Sequence, residues 1–187
     1  MSGTAFSPWT FELIKILLKF EIVHQPLLNF INLMAQGKLL LSIWGTNKLI
    51  PFSKPNNGIR PIAIADTFYR ITAKSIIVKL KDTIQETLKP VQLGVGTRNG
   101  ASIISTAGII FANQIINGTN KNSEKLSIMS LDMSNAFNSI SRDKILTNIR
   151  KYLPQLETFF LWAYGNPSNL CDRDGNFICH SCPFFSP

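Results

Sequence analysis

The chain has 187 residues, 45% of them apolar and 16% charged, so it can bury a sizeable core and wholesale disorder is excluded. Nineteen Lys and Arg against eleven Asp and Glu give a net charge of +8 at pH 7, which favours a polyanionic partner and says nothing about fold. The three cysteines all lie between Cys171 and Cys182 and cannot staple what precedes them, so a secreted disulfide framework is excluded.

Taken in chain order, Phe11, Leu13, Ile14, Leu17 and Leu18 follow helical spacing after Ser7-Pro8 and predict a first helix. A second apolar helix is predicted over residues 26–36, stopping at Gly37. Residues 39–43 and 48–52 read as extended. Pro55-Asn56-Asn57-Gly58 is a turn signal before an extended run over 59–64, which makes a β-hairpin with Lys54 and Arg60 flanking its tip. From Asp66 the apolar spacing becomes helical and continues to Pro90. Gly94, Gly96 and Gly100 punctuate a loop, and residues 101–116 read as another apolar helix ending near Gly118. After a polar turn over 121–125, residues 126–131 predict a buried strand that ends at Asp132. Ser141 suits the N-cap of a helix with Asp143 in its first turn, Pro154 interrupts it, and a further helix follows over 155–164. Asp174-Gly175 predicts a hairpin turn between two short extended pieces. The fold class is α+β with helices dominating.

No run of about 20 residues is apolar enough to cross a bilayer, since Lys15, Lys19, Glu21, Asn29 and Asn32 break the richest stretches. Glu12 precedes the first apolar run and no small-residue cleavage site follows it, so the expectation is a soluble chain without a signal peptide, in a reducing compartment. The basicity is regional. Residues 48–98 hold nine basic and three acidic side chains, while the segments on either side are each close to neutral. One reading is a solvated helix face rich in Lys. The other is a surface that meets phosphates, with affinity that falls steeply with salt because counterions are released.

Two segments carry chemistry. In residues 127–142 an apolar run delivers one carboxylate, Asp132, and the chain then turns so that Ala136 and Phe137 come back beside it. A carboxylate placed so suits a hard cation that keeps several waters and takes the rest of its ligands from substrate phosphates. Taken alone, the segment also fits an Asp that merely ends a strand. In the hairpin, Lys54 and Arg60 put two long cations around one turn, a point charge and a bidentate fork for one polyphosphate. The same charges would also keep an edge hairpin soluble.

In order, Lys54-Pro55 to Arg60-Pro61-Ile62, Tyr69-Arg70 at a helix opening, Gln92-Leu93-Gly94, Arg98-Asn99-Gly100-Ala101-Ser102, and Leu131-Asp132 followed by Ala136-Phe137 and Ser139 resemble the reverse transcriptase domain of non-LTR (LINE-type) retrotransposons across residues 39–169. The resemblance implies a right-hand polymerase that is partial here: residues 1–120 a helical fingers-like region with a β-hairpin, 121–170 an incomplete palm, and 171–187 a divergent tail. It implies Asp132 as the first catalytic aspartate and ligand to Mg²⁺, with Phe137, next to Ala136, beneath the incoming sugar where it excludes a 2′-hydroxyl. Lys54 and Arg60 would contact the phosphates of a deoxynucleoside triphosphate, and Arg70, Lys74 and Arg98 the nucleic acid. The partners implied are an RNA template and a DNA primer. The reaction implied is attack of a primer 3′-hydroxyl on the α-phosphorus with two metals stabilising the oxygens.

The family's second carboxylate block, an Asp-Asp pair after an aromatic residue, and the Gln-Gly-Asp-Pro-like loop before it do not occur, and the chain has no adjacent Asp-Asp anywhere. The chain is therefore read as an inactive fragment of an RNA-directed DNA polymerase, and the alternative is a non-catalytic basic nucleic-acid-binding module. Asp172 and Asp174 lie two apart and could share a strand face, but Asp174-Gly175 reads as a turn. Asn138 stands where many relatives carry an acid. Cys171, Cys179, His180 and Cys182 could supply four zinc ligands, in a spacing unlike paired knuckles. His24 reads as structural. No feature bears on oligomerisation.

Overall fold

The computed structural model describes residues 5–39, 44–55, 57–89, 91–118, 129–132 and 140–181. They form a mixed α+β structure in two compact units, Met1–Lys79 with Ser141–Pro187, and Leu80–Ile140.

In the first unit, helix α1 spans Phe11–Leu17. Its cap is Thr10, whose Oγ1 accepts from the Leu13 N–H at 3.0 Å, and not the Ser7-Pro8 pair. Helix α2 (His24–Ala35) stops at Gly37, as its glycine signalled. Gly37 has φ +66°, and an added Cβ would stand 3.1 Å from the Cβ of Trp162, so both conformation and space call for glycine. Helix α3 (Thr67–Lys79) is capped by Asp66: its Oδ1 accepts from the Phe68 N–H at 2.8 Å and its carbonyl accepts from the Arg70 N–H at 3.0 Å. Met34 of α2 and Thr72 of α3 are both fully buried, and the Thr72 hydroxyl points at the Met34 sulfur at 3.2 Å. Phe68 centres the core, with the rings of Phe30, Trp9 and Trp44 at 5.1, 5.5 and 6.1 Å from its own, tilted or edge-on. An apolar cavity of about 310 Å³ opens beside these four rings.

The sheet of this unit has the order β2-β1-β3-β4, with β1 Thr46–Ser53, β2 Ile59–Ile64, β3 Asn169–Cys171 and β4 Phe177–His180. Strands β1 and β2 are antiparallel, from Lys48 opposite Ile64 to Ser53 opposite Ile59. Strand β3 runs parallel to β1 but meets only Thr46, Asn47 and Lys48. Beyond Lys48, β1 pairs with β2 alone, and the hairpin continues as a two-stranded ribbon.

Helix α6 (Arg142–Tyr152) begins at Ser141, whose Oγ accepts from the Lys144 N–H, and a 3₁₀ turn at Pro154–Leu156 leads to α7 (Glu157–Tyr164). The Trp162 indole N–H donates to the Leu39 carbonyl at 2.7 Å and ties α7 to the chain leaving α2. Tyr69 packs against Phe159 and Trp162, and burial raises its phenol well above the ordinary value, with Tyr164 adding to the effect. Arg142 donates to the Tyr164 carbonyl at 3.1 Å and lies over its ring.

In the second unit, helix α4 spans Lys81–Leu88 and α5 spans Gly100–Ile116. The helical run that the sequence predicts from Asp66 to Pro90 is thus interrupted at Leu80, with φ −96° and ψ 9°, and Asp82 lies in the first turn of the new helix. Gly100 has no alternative: a Cβ there would overlap the Leu93 carbonyl.

One expected element is corrected. The strand predicted over 126–131 is not formed by residues 129–131, which are irregular and exposed, and residues 126–128 lie outside the described residues. A lone strand cannot satisfy its ladder hydrogen bonds. The described sheet is made of β1 to β4 alone, and residues 129–132 pair with no described strand.

Candidate functional site: a basic β-ribbon

The turn at the tip of the hairpin sets the geometry of the basic pair. The Lys54 N–H donates to the Gly58 carbonyl at 2.7 Å and the Asn57 N–H to the Lys54 carbonyl at 3.2 Å. A three-residue loop of this kind needs a left-handed residue before the returning strand, and Asn57 supplies it at φ +58°. Because Lys54 and Gly58 form a bonded rung, the even-numbered residues of β1 bond towards β2. Pro51 and Pro61, partners in register, therefore occupy a non-bonded pair where the missing N–H groups would point away from the ribbon.

The register also sorts the side chains by face. Directly opposed residues share a face and alternate residues return to it. Phe52 opposes Arg60 and Ile50 opposes Ile62, so Lys54, Phe52, Arg60 and Ile62 lie on one side. Pro51, Ser53, Ile59, Pro61 and Ala63 lie on the other, which carries no charge. Lys54, Phe52, Arg60 and Ile62 are exposed, Phe52 at 51%, and Ile50 on the same face is half-buried. The structure thus puts Lys54 and Arg60 on one face, and neither makes an ion pair with a described residue.

The remaining predicted residues are placed as follows. Arg70 and Lys74 are one turn apart on α3. The Arg70 guanidinium lies 4.9 Å from the centroid of the Phe11 ring. Lys74 borders an open hollow along the same helix with Ile71, Ser75, Val78 and Lys79. Arg98 and Asp132 belong to the second unit, both exposed. Ala136 and Phe137 lie outside the described residues, as does Cys182. Cys171 is buried and Cys179 exposed, and the described residues contain no group of three His, Cys, Asp or Glu that could hold a metal. Asp172 is committed to the β3–β4 turn: Oδ1 accepts from the Asp174 and Asn176 N–H groups and Oδ2 from the Asn176 amide, each at 2.9 Å. The Asn176 side chain, then its backbone N–H, hold this carboxyl below its usual range. The His24 ring bonds to the Leu18 carbonyl at 2.8 Å, between α1 and α2.

The description of one protein family, Reverse transcriptase (RNA-dependent DNA polymerase), matches residues 52–184. That span begins at Phe52 on the ribbon and runs through every predicted site residue. The chain belongs to the reverse transcriptase family. Neither the curated proteins nor the solved structures provide a further match. Among the described residues, no helix of this reverse transcriptase chain is long and apolar enough to cross a membrane.

Sequence reasoning passed over Phe52. The signal was present: it stands two residues before Lys54, so any hairpin closing at Asn57-Gly58 puts both on one face.

Proposed function

We propose that the chain is the reverse transcriptase domain of a non-LTR (LINE-type) retrotransposon, with residues 1–120 acting as fingers, 121–170 as part of the palm and 171–187 as a divergent tail. Its partners are an RNA template, a DNA primer and a deoxynucleoside triphosphate. The motif order from Lys54 to Ser139 supports the non-LTR assignment. The observation that carries the reading is the ribbon: Lys54 and Arg60 share one exposed face of a hairpin inside the region of greatest positive charge. A point charge and a bidentate donor on one face suit nucleotide or backbone phosphates, with Arg70, Lys74 and Arg98 as further contacts.

Reverse transcriptases use divalent metals, and Asp132 is the ligand we assign to Mg²⁺, with Ala136 and Phe137 at the sugar. The donor set does not fit a two-metal clamp, which needs carboxylates enough to hold two ions about 3.5–4 Å apart. Asp132 is exposed with no described partner, Asp172 is spent on its turn, and no metal-holding group occurs among the described residues. These observations favour a second reading for this 187-residue chain: a basic module that binds template–primer without turning over nucleotides.

Salt-dependent binding to a template–primer tests the placement. Changing Lys54, Arg60 and Lys74 to Gln together is expected to lower the slope of log affinity against log salt by about 2–3, since each phosphate contact contributes roughly 0.9. Changing Lys121, Lys144 and Lys151 to Gln is expected to lower it by less than about 1. Equal losses would remove the ribbon and α3 from the binding face. Arg70 is left unchanged because its guanidinium also packs on Phe11.

A further inference from the structure

The cations of the ribbon face have a role in the reading above, but Phe52 does not. A phenyl ring held half-exposed on the face it shares with Lys54 and Arg60 is costly to keep in water: full burial of such a side chain is worth about 1.5–3 kcal/mol. Phe52 is not needed to hold the sheet together, because the β1–β3 pairing ends at Lys48 and the ring is half-exposed. Its cross-strand partner is Arg60, and Lys54 follows on the same strand and face. One flat aromatic surface therefore has a cation across the ribbon from it and another along its own strand, on a ribbon that projects about 17 Å beyond Lys48 at about 3.3 Å per residue.

We propose that Phe52 is a stacking platform for an unpaired base of a single-stranded nucleic acid, with Lys54 and Arg60 on the phosphates either side of that base. The inference rests on the ribbon being the nucleic-acid face and adds the form of the ligand. Three features select a single strand. Its bases present a free π-face, whereas those of a duplex are stacked on one another. A lone nucleotide needs walls that bury most of its surface, and both faces of the ribbon tip are exposed, while the apolar cavity at Phe68 and the hollow along α3 are lined by other residues. A strand instead accumulates weak contacts along a charged track. The opposite face, with Pro51, Pro61 and Ile59 and no charge, offers neither component.

The test uses the full 187-residue chain and fluorescence anisotropy with three labelled probes: a 12-nucleotide single strand, the same strand with abasic sites throughout, and a blunt duplex. Phe52→Ala is expected to weaken binding to the ordinary strand by about 5- to 100-fold, in line with the usual effect of removing one base–aromatic stack. Binding to the abasic strand and to the duplex is expected to stay within about twofold. Phe52→Leu, which keeps the volume but not the ring, should lose nearly as much as Ala, and Phe52→Trp should retain affinity. Ile59→Ala, on the uncharged face, should change nothing.

An equal loss on the abasic strand, or no loss on the ordinary one, overturns the proposal. So does an Ile59→Ala loss of the same size as that of Phe52→Ala. The charge reading fails separately, because it predicts losses on all three probes when Lys54 and Arg60 are neutralised, whatever Phe52 does.

Discussion

Asp66 starts the helix that carries Arg70 and Lys74, and removing its carboxylate should be measurable well away from any ligand. The side chain is 4% exposed, accepts from the Phe68 N–H at 2.8 Å, and precedes a first helical bond from the Arg70 N–H to its carbonyl at 3.0 Å. Replacing an N-cap by Ala costs about 0.5–2 kcal/mol. Here the orphaned N–H belongs to a buried residue and water cannot easily replace the lost acceptor, a penalty of about 1–3 kcal/mol. The two ranges describe the same lost bond, so Asp66→Ala should cost about 2 kcal/mol. Asp66→Asn keeps an acceptor of the same shape and loses only the charge at the helix N-terminus, about 0.3–1 kcal/mol.

Urea unfolding followed by tryptophan fluorescence suits this prediction, since the Trp9 and Trp44 rings both lie against Phe68. With a slope of about 2 kcal/mol per molar urea, the Ala variant should unfold near 1 M lower and the Asn variant at less than half that shift. Equal shifts would mean that charge, and not the hydrogen bond, holds the first turn. A shift under about 0.2 M for Ala would show that Asp66 does not cap α3 at all.

Two more outcomes follow from the site. Without a second carboxylate block, the purified chain should incorporate no nucleotide with Mg²⁺ or Mn²⁺. Primer extension above background that is abolished by Asp132→Asn would show that the missing ligands are supplied in some other way. At the β3–β4 turn, the Asp172 carboxyl is held below its unfolded value by Asn176. Its stabilising effect is therefore present above about pH 4 and is lost as pH falls through the folded value. Protection of the Asn176 amide, taken relative to its intrinsic exchange rate at each pH, should fall in acid in the wild type, and in Asp172→Ala, which removes the acceptor, it should be low at every pH. Identical profiles for the two would refute the assignment.

The parts of the fold legible in the sequence are those whose signals are local. Lys54-Pro55-Asn56-Asn57-Gly58 marked the hairpin because αL geometry is cheap for so few residues, and Ser141 and Asp174-Gly175 marked a cap and a turn in the same way. The break at Leu80 left no such mark: Lys79-Leu80-Lys81 contains neither glycine nor proline, and its residue types favour continuing the helix. The strand expected before Asp132 failed for a non-local reason. Apolar composition makes a strand possible, but only pairing with a neighbour makes it form, and residues 129–132 pair with no described strand. The pairing of β1 with β3 was equally invisible, because nothing in residues 46–48 names residues 169–171 as their partner. Of the site, the cation pair could be read from the turn, whereas the face it shares with Phe52 emerged only with the register.

That β1–β3 pairing has a consequence for biogenesis. On the ribosome, the basic ribbon can zip as soon as residue 64 has emerged, but its base stays unanchored until β3 arrives more than a hundred residues later. At about 5–20 residues per second, nascent chains pass several seconds with a cationic hairpin projecting from an unfinished sheet, beside a transcript and a ribosome that are themselves polyanions. A stop codon anywhere between the two strands would release the ribbon in that state.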